Sequence, residues 1–539
     1  MVGLPKPLSD ELFNQKRKVW LKKMRRFTLT APLPQVLGVA TSILLFTTCG
    51  LAQFGGPPPQ STRPTQLPLS GRNGQSGGVV ATESPVPSTT TSVNAINPTV
   101  SVSGAYSGST NSTAVIPFSG RLSLEEAIRR GMAYNLGAVG MTQALRQVQG
   151  QARTARSGLL PNLSLDVADT EETFNLRSIG FNFSVPGFAL PSVVGPFNVL
   201  DVRGHLSQSI ADFTAINNYR SAQELVRASN FSAKDAQDLV VLAVAGSYLQ
   251  VIAASARVEA ARTQLTTANT LYQQDIERLR FGKIAQIDVN RSRVAMLLDQ
   301  ERLITLQNEF AKQKITLARL TGLSPRDQYE ISNSISYAPA PTISLDDAIK
   351  QALDQRADVK AAEVQVTAAE RALAAARSER LPSGSVSGDY GDIGPPSQLR
   401  PTYTVVATLS VPIWNGGRTA GDIAQAQAAL AQRRAELEDT RSQVESEVRN
   451  AYLDVQAAAN QVEVAQQNLD VNSQTLGQTR IRFETGVSTN VDVVQSQDAV
   501  SSAQLDYIDS IFAHNLAKLS LARAIGGAAD KLAQFLSVK

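Results

Sequence analysis

Leu122-Ser123-Leu124-Glu125-Glu126-Ala127-Ile128 returns 221 residues later as Ile343-Ser344-Leu345-Asp346-Asp347-Ala348-Ile349. At the same offset Arg156-Ser157 and Leu160-Pro161 return as Arg377-Ser378 and Leu381-Pro382. Further on, Leu206-Ser207 matches Leu409-Ser410 at an offset of 203. Tyr248-Leu249, Arg278, Gly282, Asp288-Val289 and Leu317-Ala318-Arg319 then match Tyr452-Leu453, Arg482, Gly486, Asp492-Val493 and Leu521-Ala522-Arg523 at 204. Matches in one order along the chain mark a tandem duplication, with copies at 119–323 and 341–526 and some 18 extra residues in the middle of the first.

Each copy carries the same plan. Ser123 or Ser344 caps a helix, with Glu126 or Asp347 three residues on as the capping-box acid, and the helix runs to Pro161 or Pro382. Extended segments follow at about 163–185 and 197–212, and at about 383–392 and 402–413. In them Leu200, Val202, Gly204 and Leu206 alternate with Asp201, Arg203, His205 and Ser207. Likewise Tyr403, Val405, Ala407, Leu409 and Val411 alternate with Thr404, Val406, Thr408 and Ser410. A membrane barrel strand shows this pattern, and so does an ordinary half-buried hairpin.

Helix length separates the two. No proline occurs from Thr214 to Phe281 or from Thr419 to Phe483. A 68-residue helix is about 100 Å long, several times the width of a small domain. A glycine turn at Gly282 or Gly486 returns the chain as a second helix to Gly322 or Gly526, which gives helical hairpins over 214–322 and 419–526. Runs such as Ala374-Ala375-Ala376 and Ala457-Ala458-Ala459 permit close antiparallel packing. A soluble coiled-coil scaffold accounts for the helices but not for amphipathic strands behind an export signal. Four strands leave open edges in a membrane. Three chains contribute twelve and close a barrel.

The export signal lies in residues 1–52: Lys22-Lys23-Met24-Arg25-Arg26, an apolar stretch Val36 to Thr48, and Gly50-Leu51-Ala52. The stretch is short for a membrane span, and Met24 offers a second start. Lipidation at Cys49 wants a small residue before it, where Thr48 stands. Residues 53–118, rich in Pro, Gly, Ser and Thr with only Arg63, Arg72 and Glu83 charged, read as a flexible lead, and 527–539 as a tail.

Charge and composition exclude other classes. The formal +4 comes from a net +6 in residues 1–52, which leaves −2 on the rest, so no basic surface for nucleic acid is expected. Cys49 is the single cysteine, and His205 and His514 are the only histidines. With no phosphate-binding loop, zinc-protease or nucleophile-elbow motif, neither catalysis nor a metal or cofactor is expected.

Leu124-Glu125-Glu126-Ala127-Ile128 with Asn135, Gln355-Arg356-Ala357-Asp358-Val359, Val411-Pro412-Ile413-Trp414-Asn415-Gly416-Gly417, and Arg482-Phe483-Glu484-Thr485-Gly486-Val487-Ser488 followed by Val491-Asp492-Val493 resemble the TolC-like outer-membrane efflux family over about 120–526. The resemblance implies a mainly α fold with a small β part. Long helical hairpins would form a periplasmic α-barrel in a homotrimer, beneath a 12-stranded outer-membrane β-barrel with four strands per chain. It implies a passive exit duct of a tripartite efflux pump or type I secretion system in a Gram-negative-type envelope. Its partners would be outer-membrane lipid, a periplasmic adaptor and an inner-membrane pump. The runner-up is a non-conducting envelope-spanning scaffold.

By the same resemblance Gly282-Lys283-Ile284 and Gly486-Val487-Ser488 are the tips that meet the adaptor. Plain helix-hairpin turns would need the glycines equally. Asp492 matches the first acid of an entrance ring, and Gln495 stands where the second would be. Asp288 matches the acid of a closing clamp, but Phe483 and Ser488 occupy the positions of its Tyr and Arg, so that clamp is altered; Arg280 and Arg482 are nearby substitutes. His205 is read as lining the barrel, and Trp414 as an interfacial anchor or a filler at the strand–helix corner.

Overall fold

The computed structural model describes residues 63–67, 78–86, 95–110, 118, 120–178, 180, 191–332 and 337–536. The proposed signal segment lies outside them. Four strands, β4 (Asn162–Asn175), β5 (Val193–Ala211), β7 (Ser383–Gly394) and β8 (Arg400–Ser410), form one antiparallel sheet in the order β4-β5-β7-β8. The first strand ends at Asn175, where a turn begins, and the 181–185 part of the expected strand lies outside the described residues; the last stops before Pro412, which has no N–H to offer a ladder.

Register sorts the sheet into two faces. Leu163, Leu206, Gly388 and Val405 make one row, and Leu165, Gly204, Tyr390 and Tyr403 the next, all on one face. The other face carries Ser164, His205, Asp389 and Thr404, then Asp166, Arg203, Gly391 and Thr402. Arg203 binds Asp201 through Nε at 2.6 Å and Asp389 at 3.3 Å, and His205 stands 3.4 Å from Asp166. The apolar face is open: Tyr403 is 76% exposed and Leu163 78%.

Each sheet half leads into a long hairpin. The helices α3 (Phe213–Arg280) and α4 (Gln286–Leu320) form the first, and α7 (Arg418–Glu484) and α8 (Asn490–Ala524) the second. The two hairpins join through α3 and α8, giving the lateral order α4–α3–α8–α7. Arg257 on α3 meets Asp509 on α8 at 2.6 Å, and Arg523 pairs with Asp235, so charged rungs fix the register of this pair. One 18-residue window of α3 is apolar enough to cross a membrane, but 72% of it is buried inside the fold, as expected of a core segment.

The helix preceding each sheet half is broken once, where the sequence reads as continuous. α1 (Leu124–Tyr134) and α2 (Leu136–Ser157) meet at Asn135, and α5 (Leu345–Gln355) and α6 (Ala357–Ser378) at Arg356. Both residues are extended, with ψ of 132° and 133°. Asn135 accepts from Gly137 N at 2.9 Å and donates to the Tyr106 carbonyl at 2.8 Å. These short helices pack on the hairpins in two cores. The first gathers Leu122, Ala127, Val240, Val244, Leu317 and Leu516, and the second Ala348, Val359, Val444, Val448, Leu521 and Ile525. Ser123 caps α1 by accepting from Glu126 N at 3.2 Å. Ser123→Ala is expected to cost about 1 kcal/mol in a urea titration of the folded protein.

Two readings need correction. Within 53–118, β1 (Val79–Val86) and β2 (Ala95–Val102) form an antiparallel ladder, followed by a 3-10 turn at Gly104–Ser107. Val79 and Tyr106 enter the first core, with Val100 and Val102 against it, so these described stretches are ordered by apolar surface they do not themselves own. The tail contains α9 (Ala528–Phe535), with Ala528, Phe535 and Leu536 buried. Last, β3 (Gly120–Leu122) and β6 (Tyr329–Ile331) pair in parallel.

Candidate functional site

The two hairpin turns are built alike. At the end of α3 the Lys283 amide donates to the Arg278 carbonyl at 2.9 Å, and at the end of α7 the Val487 amide donates to the Arg482 carbonyl at 2.8 Å. These bonds close Schellman motifs around Gly282 (φ +66) and Gly486 (φ +80). A Cβ at either glycine would meet nothing within 4 Å, so backbone conformation rather than crowding requires glycine there. Lys283 and Val487 are exposed, and Ile284 and Ser488 are half-buried.

Just past each turn the matched acid caps its own helix. Asp492 Oδ2 accepts from Thr489 N and Thr489 Oγ1, both at 2.8 Å, and from Ser488 Oγ at 2.9 Å. The Thr489 backbone bond first, then its hydroxyl and that of Ser488, hold the Asp492 carboxyl below the ordinary carboxylate range. The acid is exposed and stays ionised into acidic solution. Gln495 is exposed about one turn on. Asp288 makes only half of the equivalent box. It accepts from Ala285 N at 3.4 Å, Ala285 has no side chain to return the bond, and Arg291 pairs with it at 3.3 Å.

The altered clamp positions do not converge on Asp288 within the chain. Ser488 is taken up by Asp492, and the Phe483 ring lies under the Arg278 guanidinium, 4.6 Å from its centroid. Of the suggested substitutes, Arg280 pairs with Glu277 at 3.1 Å, while Arg482 lies close enough to Asp492 to help lower its pKa.

Between the turns sits a group the sequence reading missed. Asp275 on α3 is 0% exposed and accepts from Asn490 Nδ2 on α8 at 2.6 Å. Arg278 stands 3.8 Å from its other oxygen. Burial pushes the Asp275 pKa up, against the lowering pull of Ser292, Asn490 and Arg278. The Ser292 hydroxyl on α4 also donates to the Asp288 and Val289 carbonyls. Residues of α3, α4 and α8 therefore meet around one carboxyl, and the Phe483 ring of α7 packs on its Arg278. Only the pairing of α3 with α8 brings positions 275 and 490 together, so no local motif signals the cluster.

At the sheet end, Ile413 and Trp414 leave β8 fully displayed, Trp414 at 87% exposure, at the height where the sheet gives way to helix.

The family model for outer membrane efflux proteins matches residues 140–323 and 348–527, one stretch in each repeat. The chain belongs to the outer membrane efflux protein family. The pyoverdine export outer membrane protein OpmQ of Pseudomonas putida is 24% identical over 306 residues, covering 56% of this chain and 63% of that relative. The chain thus matches just under two thirds of the length of that relative. The CmeC outer membrane channel of Campylobacter jejuni superposes with a TM-score of 0.65 at 17% identity, over 76% of this chain and 89% of that one. The outer membrane protein VceC of Vibrio cholerae gives 0.64 at 19%, over 75% and 96%. These likenesses establish a TolC-like fold for this efflux-family chain. The family match begins after β1 and β2, so that ladder lies outside the matched stretches.

Proposed function

We propose that this efflux-family chain is the outer-membrane exit duct of a tripartite exporter or type I secretion system, acting as a homotrimer with a periplasmic adaptor and an inner-membrane pump. One observation carries the reading: an amphipathic four-stranded sheet with unpartnered edges continues into a four-helix layer that is also open at both sides. Unpaired strand edges and a bare apolar face are tolerable in a membrane only if the sheet closes on itself. Copies of the chain accomplish this, and three copies supply twelve strands. Lipid then covers Leu163, Leu165, Tyr390 and Tyr403, while Asp166, Asp201, Arg203, His205 and Asp389 line the lumen. Trp414 falls at the membrane boundary, where indole rings are favoured.

In the trimer the helix layers close beneath the sheet into a tunnel whose entrance is formed by the glycine turns. Gly282-Lys283-Ile284 and Gly486-Val487-Ser488 present exposed tips to a helical adaptor. Three Asp492 carboxylates around the axis favour cations and attract multivalent ones, and Gln495 leaves that ring without a second acid.

The test is conductance of the purified trimer in a planar bilayer, wild type beside Asp492→Ala, with and without a trivalent cation. Discrete cation-selective steps, blocked by that cation in wild type and at least tenfold less sensitively in the variant, are expected. Selectivity and block that ignore the substitution would discard Asp492 as the constriction while keeping the channel. Inserted trimers that never conduct would favour the envelope scaffold.

A further inference from the structure

Asp275 and Asn490 are joined by one hydrogen bond, yet the other carboxyl oxygen, Asp275 Oδ1, which has Arg278 at 3.8 Å, and the amide oxygen, Asn490 Oδ1, are buried without a hydrogen-bond donor. Buried acceptors are rarely left so. A proton on Asp275 resolves both at once, because a carboxylic acid and a primary amide can pair through two bonds, N–H to carboxyl oxygen and O–H to amide oxygen. The duplication supplies an independent comparison. At the offset of 204, Asp275 and Ser292 correspond to Thr479 and Ser496, whose hydroxyls lie 3.3 Å apart. The second hairpin thus makes the same helix–helix contact with an uncharged residue, so the hairpin fold itself does not ask for an acid at 275.

We infer that Asp275 is a proton-binding tie between the two hairpins: its acid form bonds Asn490 twice and holds the entrance closed, and loss of the proton releases it. The inference rests on reading the glycine turns as a channel entrance. Every helix around the carboxyl contributes. On α4 the Ser292 hydroxyl favours the ionised form while Asp288 opposes it, and on α3 Arg278 favours it. α7 presents the Phe483 ring under Arg278, and α8 presents the Asn490 amide. Ionisation removes the second Asn490 bond and leaves a buried negative charge, which the Ser292 hydroxyl, the Asn490 amide and Arg278, 3.8 Å away, offset only in part. The raised pKa sets the direction. The tie is complete below it, weakens as pH rises through it, and the transition lies above the ordinary carboxylate value of about 4.

Two readouts on the full trimer test this. Infrared titration should show a protonated-carboxyl band that persists above the ordinary carboxylate range and is missing in Asp275→Asn. In planar bilayers, wild-type open probability should rise about tenfold with pH, the factor one hydrogen bond carries. Asp275→Asn, whose amide can make both bonds at any pH, should stay closed and flat. Asp275→Thr, the residue of the second copy, should stay open and flat, with trimer mobility and helical circular dichroism unchanged in both. A wild-type pH response in Asp275→Asn, or no such band, overturns the inference. A band lost in Asp275→Asn with no conductance from any protein overturns the channel reading and the gating half of the inference, while the proton site stands.

Discussion

Replacing Arg356 by methionine is expected to destabilise the fold by about 3 kcal/mol, seen as a lowered urea midpoint of the detergent-solubilised protein. Arg356 is 2% exposed at the break between α5 and α6. Its Nε and Nη2 hold the two Asp358 oxygens at 3.0 and 2.6 Å, and Nη1 reaches Glu447 on α7 at 2.6 Å and the Ala524 carbonyl at the end of α8 at 3.4 Å. One guanidinium therefore fastens the short-helix pair to both helices of the second hairpin. Burial alone would lower its pKa, but the bonds and charges of Asp358 and Glu447 carry it above the ordinary value, so it is charged at every working pH. Methionine keeps the stem volume and removes the fork, leaving two carboxylates without their cation. Breaking a buried pair costs about 3–5 kcal/mol, and the lower end applies because Asp358 and Glu447 retain some contact with water. Arg356→Lys should fall between, since an ammonium cannot make the paired bonds to Asp358. A methionine variant as stable as wild type would mean that desolvation cancels the bonds and packing alone holds the joint.

That joint also shows what could be read from the chain and what could not. The 221-residue offset places Arg356 opposite Asn135, and both sit at a helix break. Asn135 caps the second helix through Gly137 N and Arg356 binds Asp358, both local, but each is also held extended by a partner far away: Tyr106 for Asn135, Glu447 for Arg356. Propensity has no access to such partners, so one helix was the natural reading. Hairpin lengths and turn glycines were legible because proline spacing and left-handed φ are local demands. β1 and β2 were not, because Pro85 and Pro98 interrupt their apolar residues, which complete a core built mainly by α3. Asp492 was legible from the repeat and the family resemblance, though not its capping role, whereas Asp275 became a candidate only once α3 and α8 were aligned in space.

Lys518→Met is expected to stabilise the protein by about 2–3 kcal/mol near neutral pH, an uncommon direction for a core substitution. Lys518 is 0% exposed on α8, and its ammonium donates to the Ala338 carbonyl at 2.9 Å. Burial pushes its pKa from 10.5 down to about 8. That gap corresponds to about 3 kcal/mol at 1.36 kcal/mol per unit, trimmed here because the Ala338 bond is lost with the amine. Between pH 8 and 10.5 the unfolded chain holds this proton and the folded chain does not, so wild-type stability rises with pH across that window. Below it, both states are charged and the penalty is constant. His514, one turn earlier, has both ring nitrogens buried without a partner, and burial with the Lys518 charge pulls its pKa down to about 4. It therefore adds a separate loss of stability as pH falls from 6.5 toward 4. The methionine variant should remove the alkaline rise, leaving the His514 limb, which shifts only by the loss of the neighbouring charge. Urea midpoints of both proteins at pH 7, 9 and about 10.5 decide the matter: the gap should be widest at pH 7 and close toward the last. A variant less stable than wild type at pH 7, or a gap indifferent to pH, would show that the surroundings compensate the buried ammonium and that its proton affinity is the same folded and unfolded.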